Sequence, residues 1–382
     1  MSFFDTDAHV YENEVVFADK YLEPKYRARR PRVVAVDNRP YWYSESELFP
    51  RWFGRAPYIL GTPLAYGEAE MPATAIAGGS RESMELVTAA ARYPDMDREE
   101  VDYQVIYPSL MMAQLTDDPL FEAALNRSYN LWLADVLSGQ DRIKWIAWLS
   151  LRDVPSAVAQ VREAKRNGAV GVSILGTVGD RTLDAPEFLP FFEAAAEEDL
   201  TVVVHVGHSW PALHNLYDNH FFSMSLSFTL PVLLGFAAIT GGGVLDKIPS
   251  LRVGFLEAGC LWVHFLSERL EHRFDLGYRM ADLIGTSPPP AKRHLLEYLR
   301  GGQVYINTEV EDALLPQVID LIGDDHIILG SDMPHGDREP FAKRDFLART
   351  DLSDASKQKI LWDNGWRFYG LPVPDRGTTA RA

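Results

Sequence analysis

Near its start the chain reads Asp5-Thr6-Asp7-Ala8-His9, with an acid and an imidazole two residues apart. On an extended strand such residues point the same way, so Asp7 and His9 can offer one oxygen and one nitrogen to a common point. Similar groups recur where short apolar runs end. Thr201-Val202-Val203-Val204 runs into His205, with His208 just beyond. Val253-Gly254-Phe255-Leu256 runs into Glu257, and Ile327-Ile328-Leu329-Gly330-Ser331 delivers Asp332, followed by His335. A single His in an apolar strand is most often a hydrogen-bonded core residue. Four runs that each end in a cation-accepting group say more, because buried carboxylates are expensive unless something compensates their charge. Asp7, His9, His205 and Asp332 therefore form a candidate site for one divalent metal ion. Zn²⁺ is the first expectation, and Mn²⁺ is open to an oxygen-richer shell. No Gly-x-Ser-x-Gly elbow or Walker-type phosphate loop competes with this reading, and Cys260 reads as a small core residue, not a nucleophile.

Positioning these groups requires strands whose ends converge. Eight β-rich runs occur, at 3–7, 104–107, 143–149, 169–175, 201–206, 253–257, 304–307 and 327–331. Most are near-continuous apolar stretches, as parallel strands buried on both faces require. Segments with helical period lie between them, at 120–137, 156–167, 188–198 and 262–274. Strands alternating with helices in this way predict an α/β fold, a (β/α)8 TIM barrel, with a doubly wound open sheet as the alternative. In a barrel the polar residues at the C-terminal ends of the strands meet at one mouth. Residues 10–96 break the alternation with Pro-, Gly-, Arg- and aromatic-rich sequence, and predict a lid-like insertion after the first strand. Residues 1–370 are expected to form one domain and 371–382 a loose tail.

Composition excludes several classes. The chain has 382 residues, 37 Lys+Arg against 54 Asp+Glu, and a formal charge of −17. Such a surface has no electrostatic footprint for nucleic acid or an anionic membrane, which leaves a small-molecule substrate as the expected partner. A single cysteine and an opening without a basic flank or long apolar core predict a cytoplasmic protein. Residues 221–245 lack any charged side chain, yet carry several Ser and Thr, a Pro and a Gly triplet. They read as a buried helix at a barrel wall or subunit contact, most simply in a homodimer, and not as a membrane span.

Asp-x-Asp-x-His, the strand-five His, Glu257-Ala258-Gly259 followed by Trp262, and Gly330-Ser331-Asp332-Met333-Pro334-His335 together resemble the amidohydrolase superfamily. More narrowly they are similar to the branch that includes aminocarboxymuconate-semialdehyde decarboxylase. Tyr107-Pro108-Ser109, Asp141-Arg142, Pro190-Phe191-Phe192 and Leu361-Trp362-Asp363-Asn364 extend the likeness along the chain. The resemblance implies a metal-dependent barrel in which Asp7, His9, His205 and Asp332 are ligands and Asp332 also moves a proton. Two positions depart from it. Asp7 stands where many relatives have His, and Glu257 stands where relatives often carry a catalytic His.

Three acids, Asp7, Glu257 and Asp332, exceed the charge of one divalent ion. Like charges ~4 Å apart cost roughly 4 kcal/mol at an effective dielectric of ~20, so an anionic substrate would be repelled unless Glu257 is protonated or joins the metal shell. A neutral substrate is the third way out, and it favours hydrolysis of an amide, ester or lactone. Asp332 would then take a proton from the attacking water, with Glu257 or a nearby His assisting the leaving group. The alternative is decarboxylation of an aromatic or unsaturated acid, and a non-catalytic binding protein on the same barrel is a third reading. Candidate substrate contacts are Arg39 for a carboxylate, Trp148 and Trp210 for a flat apolar ring, and His208 and His335 near the strand ends.

Overall fold

Every apolar run becomes a strand of one parallel sheet in the computed structural model, which describes residues 1–59, 61–67, 69–70, 79–336, 338 and 340–374. The strands are β1 Phe4–Val10, β2 Tyr103–Pro108, β3 Ile143–Trp148, β4 Gly171–Leu175, β5 Thr201–His205, β6 Val253–Phe255, β7 Val304–Thr308 and β8 Ile327–Leu329, hydrogen-bonded in that order. Beyond β8 the chain returns to β1 through a parallel bridge between Met333 and Ala8. The Thr6 hydroxyl donates to the Leu329 carbonyl at 2.9 Å across the same seam. The sheet thus closes as a (β/α)8 barrel instead of opening as a doubly wound sheet. Gly330 permits the closure, because a Cβ there would collide with Asp7.

A helix follows each strand: α1 Ala89–Arg98, α2 Pro119–Val136, α3 Val154–Arg166, α4 Leu189–Glu197, α5 Leu230–Gly241, α6 Trp262–Ile284, α7 Leu315–Ile322 and α8 Ala342–Ala348. Their inward faces and the outer faces of the strands share one apolar layer, to which Val172, Val204, Phe236 and Val318 belong. A second cluster fills the barrel from within. Phe4, Tyr103, Tyr107, Val203 and Tyr305 meet Trp362, Trp366, Phe368 and Tyr369 from the C-terminal segment, which plugs the end opposite the strand-end acids. Gly254 admits that plug, since a Cβ there would strike the ring of Phe368.

Two sequence expectations change in detail. Residues 89–96, assigned to the insertion, form most of α1. Its period is masked because polar Arg92 and Asp95 face inward and Pro94 sits inside the helix. Arg92 ties the seam, its Nη2 donating to the carbonyls of His9 at 2.9 Å and Met333 at 3.0 Å. The uncharged stretch is helical over His220–Gly241, long and apolar enough to cross a membrane, and half of it is buried inside the protein. Its α5 portion is barrel wall, with the Phe236 ring 5.2 Å from Phe255 and 4.8 Å from Trp262.

The insertion before α1 holds a three-stranded antiparallel sheet, Arg32–Val36, Arg39–Ser44 and Glu47–Phe49. It touches loops that follow the barrel strands: Ser44 Oγ donates to the Leu115 carbonyl at 3.0 Å, and Ser223 Oγ to the Pro57 carbonyl at 2.6 Å. Residues 60, 68 and 71–78 of the insertion and 375–382 of the tail lie outside the described residues.

Candidate metal centre

β1 carries a bulge, spending one residue more than β2 between Asp5 and Ala8, and bulges re-aim neighbouring side chains. Asp7 and His9 both end at the mouth. Nδ1 of His9 pairs with the Pro108 carbonyl at 2.8 Å, and Nδ1 of His205 with the Val206 carbonyl at 3.1 Å. A carbonyl only accepts, so each Nδ1 carries the proton and each Nε2 turns a lone pair inward, the tautomer a metal requires. Those Nε2 atoms lie 3.4 and 3.5 Å from Oδ1 of Asp7.

Two further acids arrive on strained backbone. Glu257 and Asp332 have φ of 57° and 53°, in the left-handed region that non-glycine residues occupy at a cost of about 1–3 kcal/mol. Glu257 Oε1 is 3.2 Å from His9 Nε2, and Asp332 Oδ1 is 3.4 Å from the same atom. His335 stands beside Asp332, its Nδ1 2.7 Å from Oδ1, while its Nε2 hydrogen-bonds Ser109 Oγ at 2.8 Å.

The chemistry of this donor set fits a divalent cation. Both oxygens of Asp7 and the Nε2 atoms of His9 and His205 are enclosed and have no hydrogen-bond partner. Uncompensated groups of this kind are expensive, and a cation would satisfy all of them together. Asp7, His9, His205 and Glu257 bring ligand atoms within 4.8 Å of one another, and a second, overlapping set comprises His9, Glu257, Asp332 and His335.

The electrostatics are those of a crowded acid cluster. Burial and the charge of Asp332 push Glu257 well above the usual carboxylate range. Burial acts the same way on Asp332 and Asp7, but is outweighed by His335 at Asp332 and by His205 and His9 at Asp7, which leaves both lowered. Burial works against charge on the two imidazoles as well. The acids reverse it, so His9 and His205 are both raised.

A cavity of about 450 Å³ opens over the centre, lined by Asp7, Glu257, Asp332, His335, Asn307 and Phe228 among others. Arg338 also borders it, but its two terminal nitrogens are committed to Glu99 at 2.7 and 2.6 Å. Of the sequence candidates, His335 reaches this space. Trp148 is buried as a wall, its ring 6.0 Å from that of His205. Three candidates lie elsewhere. His208 stacks on His214 at 3.8 Å, and burial, with His214 and His220 beside it, holds its pKa well below the usual value. Trp210 donates from Nε1 to Asp180 at 2.9 Å. Arg39 is exposed beside the Asp37-Asn38 hairpin, whose two left-handed residues reverse the chain and carry the flanking side chain into solvent. Cys260 is a buried thiol pushed up by burial, as a core residue would be.

Sequence reasoning missed Glu12, Ser109 and Asn307. Glu12 accepts from the backbone N–H groups of Ser109 at 3.1 Å and Leu110 at 2.8 Å, which fixes the loop that holds His335. Asn307, next to last in β7, has its Nδ2 enclosed and unpartnered at the cavity. An Asn ending an apolar strand was the available signal.

A closed parallel barrel with acids and imidazoles converging at its C-terminal mouth defines a metal-binding barrel enzyme. The sequence pattern of the amidohydrolase family matches residues 5–371, and the chain belongs to that family. Among curated proteins, 2-amino-3-carboxymuconate-6-semialdehyde decarboxylase of Dictyostelium discoideum is 24% identical over 284 residues, covering 73% of this chain and 76% of that one. An amidohydrolase from Mycobacterium avium subsp. paratuberculosis K-10 superposes with a TM-score of 0.77 at 22% identity, over 97% of this chain and 98% of that one. A 5-carboxyvanillate decarboxylase from Novosphingobium aromaticivorans, solved with manganese and 3-methoxy-4-hydroxy-5-nitrobenzoic acid, gives 0.63 at 21% identity, over 76% and 83%. The chain is an enzyme of the amidohydrolase family, similar to aminocarboxymuconate-semialdehyde decarboxylase among the curated proteins.

Proposed function

We propose that this protein is a metal-dependent decarboxylase of an aromatic or unsaturated carboxylic acid. The observation that carries the reading is the Asp332–His335 pair, a proton-handling couple beside a cation site in a family whose curated relative here is a decarboxylase. A bound divalent ion supplies electrostatic stabilisation to a substrate carboxylate and its neighbouring oxygen. The chain's own residues then move one proton. Asp332 is held ionised beside His335, and the proton passes through this couple to the carbon bearing the carboxylate. The carbon–carboxylate bond breaks, its electron pair returns to the unsaturated system, and CO₂ leaves. Substrate carboxylate plus one proton gives CO₂ and the protonated product. Phe228 offers the ring an apolar wall, and Asn307 an enclosed donor.

The oxygen-rich ligand set and the manganese in the solved 5-carboxyvanillate decarboxylase favour Mn²⁺ over Zn²⁺. The insertion before α1 serves as a lid, and the exposed Phe221, Phe222 and Leu226 form the contact of a homodimer. Light scattering that reports a monomer across micromolar concentrations would remove the dimer.

The acidic cavity favours one second reading, hydrolysis of a neutral amide, ester or lactone with Asp332 accepting a proton from water. The test is a panel of hydroxybenzoic and unsaturated acids, and of lactones and amides, run in ¹⁸O water. CO₂ release without ¹⁸O in the organic product supports the decarboxylase, and ¹⁸O incorporation without CO₂ replaces it with the hydrolase.

A further inference from the structure

The loop after β5 has two faces. Met224, Ser225 and Phe228 wall the cavity, and other residues of the same loop grip the insertion. The Ala56 N–H donates to the Tyr217 carbonyl at 2.8 Å, and Arg55 Nε to the Asn215 carbonyl at 2.7 Å. The Pro57 carbonyl accepts from Ser223 Oγ at 2.6 Å and from His214 Nε2 at 3.3 Å. Beside that contact the rings of His208 and His214 stack at 3.8 Å with 3° between their planes, and Tyr58 lies edge-on to both. Donor directions fix the protons. A carbonyl only accepts, so Nε2 of His214 carries one. Ser227 Oγ donates its own proton to the Ser223 carbonyl at 2.8 Å, so it accepts from Nδ1 of His208 at 3.2 Å. One proton on each ring satisfies every hydrogen bond the pair makes, and Nε2 of His208 is left enclosed without a partner.

A second proton on either ring finds no acceptor. Burial holds both imidazoles below the usual value, aided by His214 and His220 at His208 and by Arg51 at His214. The other groups facing the pair are Tyr58 from the insertion and Ser227 and Phe228 from the loop. Neighbouring charges are already matched. Arg51 pairs with Glu47 at 3.3 Å, and Glu122, which borders a small cavity with His208, pairs with Arg152 at 3.0 Å. We infer that His208 and His214 are a latch, which clamps residues 55–58 of the insertion onto the cavity wall while both rings are neutral and lets go when one is protonated. They are positioning residues, since neither borders the large cavity. The closed form resists protonation and the open form titrates near the ordinary 6.5, so opening is favoured as pH falls below about 6.5 and is insensitive to pH above it. The latch is separate from the chemistry proposed above and stands or falls without it.

The experiment follows amide exchange in the full chain, with millimolar Mn²⁺ present, for wild type and for the double variant His208→Asn with His214→Gln. The Asn and Gln amides supply donors in place of Nδ1 and Nε2 but do not titrate. Protection is corrected for the intrinsic pH dependence and read in residues 51–59, with the amides of β3 as the barrel reference. Wild type is expected to lose ~10-fold protection at Ala56 from about pH 6 to about pH 5 while β3 stays constant, and the double variant to lose less than ~2-fold. Protonation at the metal centre acts on both proteins alike, so only the latch separates them. Wild-type protection that holds down to about pH 5, or that falls equally in β3, overturns the inference, as does a double variant that falls as steeply as wild type. If near-UV circular dichroism shows that the double variant does not fold, the wild-type slope at Ala56 against that of β3 decides alone.

Discussion

Asp5 and Asp7 stand two residues apart on one strand, both fully enclosed, and they meet opposite fates. Asp5 belongs to the lower part of the barrel. Gln104 Nε2, the Ser331 backbone N–H and Ser331 Oγ donate to it at 2.8, 2.8 and 2.6 Å, and Arg92 lies nearby. Asp7 belongs to the mouth, and neither of its oxygens has a hydrogen-bond partner. The floor spends its polar groups on holding the seam shut, backed by the aromatic plug. The mouth leaves its groups unmatched, a destabilising arrangement unless a cation enters. Position along the barrel axis, not residue type, separates a structural acid from a functional one.

Metal addition should break the symmetry of the two acids most visibly. At about a thousandfold excess over Kd, Mn²⁺ or Zn²⁺ is expected to stabilise wild type by about 4 kcal/mol, read as a shift in thermal unfolding that EDTA reverses. Asp7→Asn and His205→Ala should abolish that shift, and elemental analysis should find them metal-free.

Glu12 tests an intermediate case, a mouth-side acid satisfied by backbone N–H groups. Burial raises its pKa from 4.5 to about 7, partly offset by those donors. The native state therefore holds this proton more tightly than the unfolded chain, so stability falls as pH rises from about 4.5 to about 7 and levels off above. The contribution is about 3 kcal/mol, and Glu12→Gln should flatten the pH dependence by that amount in urea titrations.

Asp5→Asn should cost about 2 kcal/mol of stability while metal stoichiometry stays at the wild-type value. Loss of the metal in that variant would erase the distinction between floor and mouth. Tyr369→Phe tests the floor alone. Its hydroxyl donates to the Thr6 carbonyl at 2.8 Å and meets the Tyr107 hydroxyl at 2.8 Å, so about 1 kcal/mol should be lost without change in metal affinity.

Much of the mouth was legible because strand ends announce themselves. An apolar run that stops on His205, Glu257 or Asp332 places that group at the barrel's rim, and the fold supplies the convergence. The supporting residues were less visible. Glu12 and Ser109 act through a loop whose path depends on backbone N–H directions, which no spacing rule carries. Arg39 was misleading for the converse reason. Its chemistry suits a carboxylate, but the Asp37-Asn38 turn carries it into solvent. Helix α1 stayed hidden because its inward face includes Arg92, whose burial is bought by carbonyls from β1 and the residue after β8.

The order and apolar character of the eight runs, and the residue types at their ends, determined the barrel class and most of the ligand set. Those follow from local periodicity, which the chain carries in itself. Which acid sits against the two imidazoles, which pairs with His335, and which is consumed in closing the seam were decided only by the tertiary structure. Such assignments depend on ångström differences between side chains hundreds of residues apart, set by where a bulge in β1, a missing Cβ at Gly330 and left-handed turns at Glu257 and Asp332 direct them.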